Sequence, residues 1–428
     1  MTSARQRIAK VLPATEDELA AALWSFAYFF TLLAGYYVLR PLRDQMAIAG
    51  GVKALPWLFT ATFITLLVAQ PLYGALVARL PRRRFIPIVY HFFVANLAVF
   101  WLLRTLDVEQ VVVARVFFVW VSVFNLFAVT VFWSFMADIF TSQQGKRLFG
   151  FIGAGGTAGA LLGPSITLVL SVPLGPANLL IVAALLLELA IYCVHRLERI
   201  AAPHEHVSHD ERRIGGRAFA AFAEVARSPY LLGITAWVSL GSFGATILYF
   251  AQANLVAAHV QGATEQTRYF ASVDLAVSVL TLLTQIVATG PLLKRFGTAV
   301  AAAVLPAVYI VGFAILAVVP TLAVVLVFQV VQRWANFAIA NPARQLFFTV
   351  VGRAEKYKAK NLIDVVVVRG SDALYGWVFD SMQALGLTLA AIGLWALPAS
   401  AAWLALSAAL GRTQERRAAL VPSPASGD

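Results

Sequence analysis

Apolar segments long enough to cross a lipid bilayer recur along the whole chain. Residues 19–39 contain no charged side chain, and comparable segments follow until about residue 410. A run of about 18 or more apolar residues predicts a membrane-spanning helix. Only 13% of the 428 residues are charged, whereas a soluble domain carries about 25%. The sequence therefore predicts an all-α protein that folds within a membrane.

Twelve spans are predicted, and a polar stretch divides them into six and six. They lie at 19–48, 55–78, 85–104, 108–137, 147–171, 177–195, 229–256, 267–292, 298–319, 321–347, 359–382 and 386–410. This division predicts two pseudo-symmetric six-helix bundles. Their predicted bounds are 1–196 for the N-terminal bundle, 197–228 for a cytoplasmic linker, 229–411 for the C-terminal bundle and 412–428 for a cytoplasmic tail.

Basic residues cluster in the segments that follow even-numbered spans. Examples are Arg82 to Arg84 after span two and Lys146 with Arg147 after span four. Cytoplasmic loops carry such an excess of lysine and arginine. The pattern predicts a multi-pass membrane protein with both termini in the cytoplasm, and the family resemblance described below implies the bacterial inner (cytoplasmic) membrane. The pattern also accounts for the net charge of +12, so we predict no nucleic-acid partner.

The sequence offers little support for catalysis or metal binding. His204, His206 and His209 lie in the linker, where a solvated connection is favoured over a metal site. No nucleophile–base pair or metal-ligand spacing stands out. Gly155, Gly159 and Gly163 lie at i, i+4 and i+8 inside an apolar helix, which favours close helix packing over a phosphate-binding loop. We therefore predict that the protein is not an enzyme and has no cofactor and no metal.

Ionisable residues inside the spans are the candidate functional residues. Such side chains are costly in a bilayer and usually face a bundle interior or a pathway. Together with two amides we predict that they contact the substrate: Arg40, Arg43, Asp44, Arg115, Asn125, Asp274, Arg333, Asn336, Asp364, Arg369 and Asp372. Arginine suits carboxylate or phosphate groups. Because five arginines nearly balance four aspartates, structural ion pairing is the alternative.

The segments that follow the second span of each half are similar to each other. They read "GALVARLPRRR" (74–84) and "GPLLKRFGT" (290–298). The first resembles the cytoplasmic loop motif of the major facilitator superfamily at Gly74, Arg79, Arg82 and Arg83. This resemblance implies a facilitator-type fold, in which we expect a cytoplasmic gate formed by Arg79, Arg82, Arg83, Asp138, Lys146, Arg147, Lys294 and Arg295.

A second resemblance concerns the ATP/ADP translocase family of plastids and obligate intracellular bacteria. Residues 132–163 carry seven of its motif positions, namely Phe132, Trp133, Phe135, Thr141, Lys146, Arg147 and Gly153. Residues 358–376 resemble its eleventh span, with the core at 363–366 intact. The resemblance implies nucleotide exchange. Val121 stands where typical members have an acid, and Arg369 and Asp372 stand near the position of a family lysine, so this chain resembles a divergent branch.

The expectation from sequence is a secondary active transporter that works by alternating access on an anionic solute. A nucleotide or another phosphorylated metabolite, moved by exchange, is the leading substrate class. The alternatives are a proton-coupled facilitator for another organic solute and a non-transporting membrane scaffold. The expected partners are the lipid bilayer and the small-molecule substrate, and the expected state is a monomer.

Overall fold

The computed structural model describes residues 16–79, 82–200, 218–287, 289–352, 359–360 and 362–420. In these ranges the regular structure is helical and includes no strand, which confirms the predicted all-α fold. The linker histidines His204, His206 and His209 and the tail beyond residue 420 lie outside the described residues.

The helices of the N-terminal half follow one another through short turns. In chain order they are α1 (Glu16–Ala49), a 3-10 turn (Val52–Ala54), α2 (Leu55–Arg79), α3 (Arg82–Thr105), α4 (Gln110–Ile139) and α5 (Ser142–Ile200). Helix α5 is interrupted at Gly175, where φ is 73°. A positive φ is available to glycine at little cost, and Pro173 and Pro176 flank the break.

The described residues of the C-terminal half include eight α-helices, two π-helical turns and a 3-10 turn, Phe348–Val350. The helices are α6 (Ala218–Arg227), α7 (Pro229–His259), α8 (Ala263–Val287), α9 (Thr289–Val318), α10 (Leu322–Ala335), α11 (Asn341–Phe347), α12 (Val368–Ala384) and α13 (Leu389–Leu420). One π-helical turn, Asn336–Ala340, joins α10 to α11. The other, Leu362–Val367, leads into α12.

The described helices provide the predicted number of spans. Ten segments are long and apolar enough to cross a bilayer. One of them, Arg147–Ile200, has 54 residues, which is more than twice the roughly 20 residues that a crossing needs, so its break at Gly175 makes it two spans. Residues 362–384 form a further, more polar helical segment. The total is twelve spans in the part of the chain that is described.

The chain forms two compact units. Unit 1 comprises Met1–Gly51, Ile64–His209 and Val260–Leu275, and unit 2 comprises Val52–Phe63, Asp210–His259 and Ala276–Asp428. Each unit therefore includes a short segment from the opposite half of the sequence. The bundle bounds predicted from the sequence, 1–196 and 229–411, assign these segments to their own halves and stay a prediction.

Glycines bring α5 against α1 within unit 1. A Cβ atom added to Gly155 would lie 2.5 Å from the carbonyl oxygen of Phe26, and one added to Gly163 would lie 2.7 Å from that of Ala34. Gly159 lies between them and faces the Phe30 carbonyl and the Ala34 amide. Without side chains at these positions the two backbones approach closely, as small residues allow in membranes. The glycine run is thus a helix-packing surface.

Unit 2 has an aromatic core beside which its polar residues are placed. The rings of Trp237 and Trp403 are 5.6 Å apart, and those of Tyr309 and Phe328 are 5.4 Å apart. The Trp237 indole donates a hydrogen bond of 2.7 Å to Ser407 Oγ. Such edge-to-face contacts fix side chains more specifically than aliphatic packing does, so this core gives the neighbouring polar groups a rigid support.

Candidate functional site

A polar cavity of about 200 Å³ lies inside unit 2. Trp237 and Trp403 form its aromatic wall. Its polar side chains come from five helices and one π-helical turn, and they are Ser242, Tyr309, Gln332, Asn336, Asn341, Arg344 and Asp372. A concave site that combines aromatic surface with a few converging polar groups is the usual form of a small-molecule site. This cavity is therefore the candidate functional site.

The first π-helical turn places two of these polar residues, Asn336 and Asn341. Pro342 has no N–H to donate to the carbonyl of Ala338, and an unpaired carbonyl in a membrane protein is costly. The Thr289 hydroxyl donates to this Ala338 oxygen at 3.0 Å. The wider turn at Asn336–Ala340 is therefore tolerated, and it directs Asn336 and Asn341 toward the cavity. Single π-helical turns occur frequently at functional sites.

Arg344 and Asp364 form an ion pair at the edge of the cavity. Arg344 Nη1 lies 3.5 Å from Asp364 Oδ1, and the side chains are 21% and 31% exposed. Asp364 belongs to the second π-helical turn, so the pair connects the two irregular segments. The buried Nε of Arg344 has no hydrogen-bond partner among the described residues. The guanidinium therefore retains donor capacity that Asp364 does not use.

Asp372 is the acidic member of the cavity wall. Arg369 Nη1 lies 3.4 Å from Asp372 Oδ2, and the Thr246 hydroxyl lies 3.5 Å from Oδ1. Ser242 supplies a further side-chain hydrogen bond. Arg369 compensates the negative charge of the Asp372 carboxylate, but at these distances it does not cover the carboxylate oxygens. Asp372 gives the cavity an acidic group and Arg344 gives it a basic group, beside the amides of Asn336 and Asn341.

A chain of hydrogen bonds orients the amides on the opposite wall. Tyr309 donates to Gln332 Oε1 at 2.9 Å, and Gln332 Nε2 donates to Gln329 Oε1 at 2.8 Å. Networks of this kind fix the direction of each amide. A short hydroxyl cluster lies on α7 and α12, where Ser239 Oγ is 2.9 Å from both Ser371 Oγ and Tyr375 OH.

Five of the predicted ionisable residues form a cluster in unit 1 near the end of α1 and are paired within it. This α1 cluster comprises Arg40, Arg43 and Asp44 of α1, Arg115 of α4 and Asp274 of α8. Arg40 Nη1 lies 3.7 Å from Oδ1 of Asp274, whose side chain is 1% exposed. The Arg40 guanidinium also stacks over the Tyr37 ring at 5.8 Å. Each charge stabilises the other, and removing either partner would leave the remaining charge uncompensated away from water. This pair holds residues 260–275 to α1.

The other two basic residues of this cluster also contact the protein. Arg43 Nη2 donates to Asp44 Oδ1 at 2.6 Å, and its guanidinium lies 5.3 Å from the centre of the Phe118 ring. Arg115 Nε donates to the Gly50 carbonyl at 2.8 Å. Arg43 and Asp44, both predicted to contact substrate, therefore pair with each other as adjacent residues of α1. The cluster thus ties the end of α1 to α4.

The remaining predicted substrate residues fall into two groups. Asn336 and Asp372 line the cavity of unit 2, and Asp364 and Arg369 pair with its charged members. Asn125 and Arg333 are half-buried on α4 and α10 and are not among the lining residues. Direct contact of the predicted residues with substrate stays a prediction.

The predicted cytoplasmic gate is described only in part. The side chains of Arg79, Arg82, Arg83, Lys146 and Lys294 lie outside the described part of the structure. Asp138 is exposed at the end of α4, and Arg147 Nη2 contacts Glu18 Oε1 at 2.9 Å. Arg295 lies 5.5 Å over the Phe296 ring. Asp138 was expected to pair with Lys146 or Arg147, which stays a prediction, and the contact of Arg147 with Glu18 was not predicted from the sequence.

Helix α9 is interrupted at Gly297, near the predicted gate, and its second part is capped by a residue of α13. Gly297 has φ of 74°, and the Glu415 carboxylate accepts a hydrogen bond of 3.1 Å from the Ala299 amide. A carboxylate at this point satisfies a free N–H and complements the positive end of the helix. Glu415 is therefore a positioning residue for the second part of α9.

Several residues of the cavity were not predicted from the sequence. Arg344 is the most important of them, and it follows Pro342 by two positions in the segment "ANPARQ". An arginine so close to a helix-breaking proline could have been recognised as a site residue. Tyr309, Trp237 and Ser242 carried no such signal, because a single polar or aromatic residue in an apolar span is usually structural.

A larger groove of about 710 Å³ lies between α9 and α10. Its lining is aliphatic apart from Phe328, with residues such as Val304, Val311 and Val327. Among the described residues, no group of three or more His, Cys, Asp or Glu side chains could hold a metal ion. The polar cavity is therefore the better candidate for solute recognition.

Twelve spans in the described part of the chain define a multi-pass membrane protein. The family follows from the sequence, because the profile described as "Major Facilitator Superfamily" matches residues 18–356. The chain belongs to that superfamily and is a facilitator-type membrane transporter. No curated protein matches the chain.

Solved transporter structures share the fold at low sequence identity. A POT family transporter in complex with 5-aminolevulinic acid gives a TM-score of 0.65 at 11% identity, covering 92% of this chain and 96% of that one. The nucleoside transporter NupG gives 0.58 at 16%, covering 94% and 99%. A bacterial homologue of the human lysosomal transporter Spinster gives 0.54 at 14%, covering 96% and 98%. These likenesses establish the fold and leave the substrate undefined.

Proposed function

We propose that the protein is a secondary active transporter for an anionic organic solute and that it works by alternating access. A nucleotide or another phosphorylated metabolite, moved by exchange, is the first substrate class to test. The observation that carries the proposal is the cavity of unit 2, in which Arg344 is held by Asp364 at 3.5 Å and keeps unused donors. NupG, a nucleoside transporter, has the same fold.

The chemistry of Arg344 supports an anionic group as its ligand. A guanidinium presents two parallel N–H donors that match carboxylate and phosphate oxygens. The amides of Asn336 and Asn341 line the same cavity and could hydrogen-bond the rest of the solute. An anion at Arg344 would also satisfy the buried Nε. Arg40, Arg43, Arg115, Arg333 and Arg369 remain proposed contacts along the pathway.

Asp372 favours a second candidate, proton-coupled transport of a different organic solute. Its carboxylate lines the same cavity as Arg344, so the site can hold a solute that carries both an acid and an amino group. The POT family transporter bound to 5-aminolevulinic acid shows that this fold accepts an amino acid. Under this proposal Asp372 takes the amino group and one of the buried aspartates carries the proton.

The bundle bounds, the inner-membrane location and the cytoplasmic termini belong to the same proposal. The basic segments after even-numbered spans support that orientation. The gate residues Arg79, Arg82, Arg83, Asp138, Lys146, Arg147, Lys294 and Arg295 are proposed to close the cytoplasmic side. Transport by this route requires no covalent chemistry, so we propose no catalytic residue and no cofactor.

Thermal unfolding of the purified protein in detergent tests the proposal directly. Nucleotides, sugar phosphates, simple organic acids and amino acids are added one class at a time, because a ligand of the folded state raises its Tm by mass action. Arg344→Gln should raise the Kd of the responding anion about 10- to 100-fold, since one charged hydrogen bond contributes about 1.5–3 kcal/mol. Arg268→Gln is the matched control, because Arg268 forms an exposed pair with Glu265.

Transport in proteoliposomes then separates the candidates. Uptake of labelled phosphorylated anions that requires an internal exchange partner supports the first. Uptake of an amino acid that is driven by a proton gradient and reduced in Asp372→Asn supports the second. The anion proposal fails if Arg344→Gln and Arg268→Gln bind and transport the same solute equally well. Failure of every solute class to bind or to move would favour the scaffold alternative.

A further inference from the structure

Two ionisable side chains face outward from apolar helices of unit 1. His91 lies on α3, Glu188 lies on α5, and His91 Nε2 is 3.7 Å from Glu188 Oε2. The side chains are 55% and 42% exposed. The other ring nitrogen of His91 is 2.8 Å from the Pro87 carbonyl, which orients Nε2 toward the glutamate. Neither residue belongs to the candidate site or to the predicted gate.

The surroundings of this pair are those of a lipid-facing surface. Exposed apolar side chains lie before and after both residues on the same helical faces, and they are Ile88, Phe92 and Val99 on α3 and Leu185, Leu189 and Tyr192 on α5. At 1.5 Å per residue, His91 is about 9 Å from the start of its span at Phe85, and Glu188 is about 12 Å from Arg196. Both residues therefore lie within the hydrocarbon region.

Ionisable groups at this depth are costly when they face lipid and normally face protein or water. The contact between His91 and Glu188 offsets part of this cost, but about half of each side chain stays uncovered. A protein surface over the pair would remove the rest. The covering surface must supply an acidic group to His91 and a basic group to Glu188.

A second copy of this chain has the required groups in the required places. A two-fold axis along the membrane normal brings a residue of one copy opposite residues at the same depth in the other. His91 and Glu188 lie at the same depth, because they are in contact. We propose that this face, formed by α3 and by residues 176–200 of α5, is a homodimer interface in which His91 of each copy meets Glu188 of the other. The proposed dimer differs from the monomer expected from the sequence.

The test uses two variants that disrupt the pairing in opposite ways. His91→Glu places two acids on the face, and Glu188→His places two histidines there. Each variant alone should lose dimer, because like groups oppose each other across the axis. A mixture should recover a heterodimer, in which every cross-contact again joins an acid to a histidine. Single-molecule photobleaching in liposomes measures the dimer fraction at a known protein density.

The expected loss follows from the two symmetric contacts. Polar contacts between membrane helices contribute about threefold each in measured cases, so losing both should raise the dimer dissociation constant roughly tenfold. The milder Glu188→Gln should give a smaller loss and tests the interface if the charge-reversed chains fold poorly. Glu265→Gln removes an exposed carboxylate elsewhere and should leave the dimer fraction unchanged.

An independent readout does not depend on the charged pair. In a Cys193→Ser background, Ile88→Cys chains mixed with Tyr192→Cys chains should form an intermolecular disulfide in native membranes, since both exposed residues lie one helical turn from the His91–Glu188 contact. The proposal is overturned if wild-type protein is monomeric at every lipid density. It is also overturned if Glu188→Gln leaves the dimer fraction intact, or if the variants fail to recover dimer when mixed.

Discussion

Replacing a glycine of the α1–α5 contact tests how the N-terminal unit is packed. In Gly159→Ala the new Cβ would lie 2.8 Å from the Ala34 amide nitrogen and closer still to the Phe30 carbonyl oxygen. Carbon contacts are optimal at about 3.5–4.0 Å, so the helices must separate by at least about 0.7 Å. Neither neighbouring atom belongs to a flexible side chain. The strain must therefore be relieved by moving a helix.

Two opposing terms set the size of the effect. Alanine in a helix is favoured over glycine by about 1 kcal/mol. Overpacking a tight contact costs about 1–3 kcal/mol, and a gap of about 0.5–1 Å also forfeits a quarter to a half of the dispersion energy along the interface. We expect Gly159→Ala to be destabilised by roughly 1–2 kcal/mol net, since the contact extends over several turns.

Gly153→Ala is the matched control, because it lies on the same helix and its Cβ would meet nothing within 4 Å. It gains the helix preference without the clash, so its Tm should equal or exceed that of the wild type. The two variants should differ by roughly 2–3 kcal/mol, which corresponds to at least about 4 °C for a unit of this size. Equal Tm values for the two variants would refute the close backbone contact.

Three further variants test other parts of the structure. Asp274→Asn should destabilise unit 1 by about 3–5 kcal/mol, because it leaves Arg40 without its carboxylate partner. In thermal unfolding, the double variant with Arg40→Met should recover much of this loss. A purely additive loss would contradict the pairing. Glu415→Ala should cost about 0.5–2 kcal/mol by removing the cap on Ala299, visible as faster hydrogen exchange at residues 298–301, whereas unchanged exchange would argue against the cap. Glu18→Gln should lower the free energy of unfolding by less than about 1 kcal/mol in thermal unfolding, since its contact with Arg147 is exposed on one side. A loss several times larger would mean that this pair has a greater structural role.

The fold could be predicted from the sequence because membrane spans are specified by length and apolarity. Each backbone polar group in a bilayer must be paired within its own helix, so a long apolar segment has few alternatives. The same argument explains the break in α5, where Pro173, Gly175 and Pro176 interrupt an otherwise continuous helix. The glycine run was also predictable, since residues four apart share a helical face.

The partners of the charged residues could not be predicted. Arg40 meets Asp274 across more than two hundred positions of sequence, and no local pattern specifies such a contact. Arg344 was missed because it lies near the end of a predicted span, where an arginine is usually assigned to a basic loop. Two π-helical turns shift the register of α10 to α12, and these shifts depend on tertiary hydrogen bonds such as that from Thr289 to Ala338.

The solvent exposure of the carboxylates differs between the α1 cluster and the ion pairs at the unit 2 cavity. The aspartates of the α1 cluster are closed off, since Asp274 is 1% and Asp44 is 8% exposed on its side chain. Asp364, at the edge of the unit 2 cavity, is more accessible at 31%, whereas Asp372 is 16% exposed, the same as Arg40. A closed pair can position helices but cannot exchange its partner for a solute without first opening. An accessible pair beside a cavity can do so with small movements, so the proposed solute contact is tested first at Arg344 with Asp364 and only then at Arg40 with Asp274.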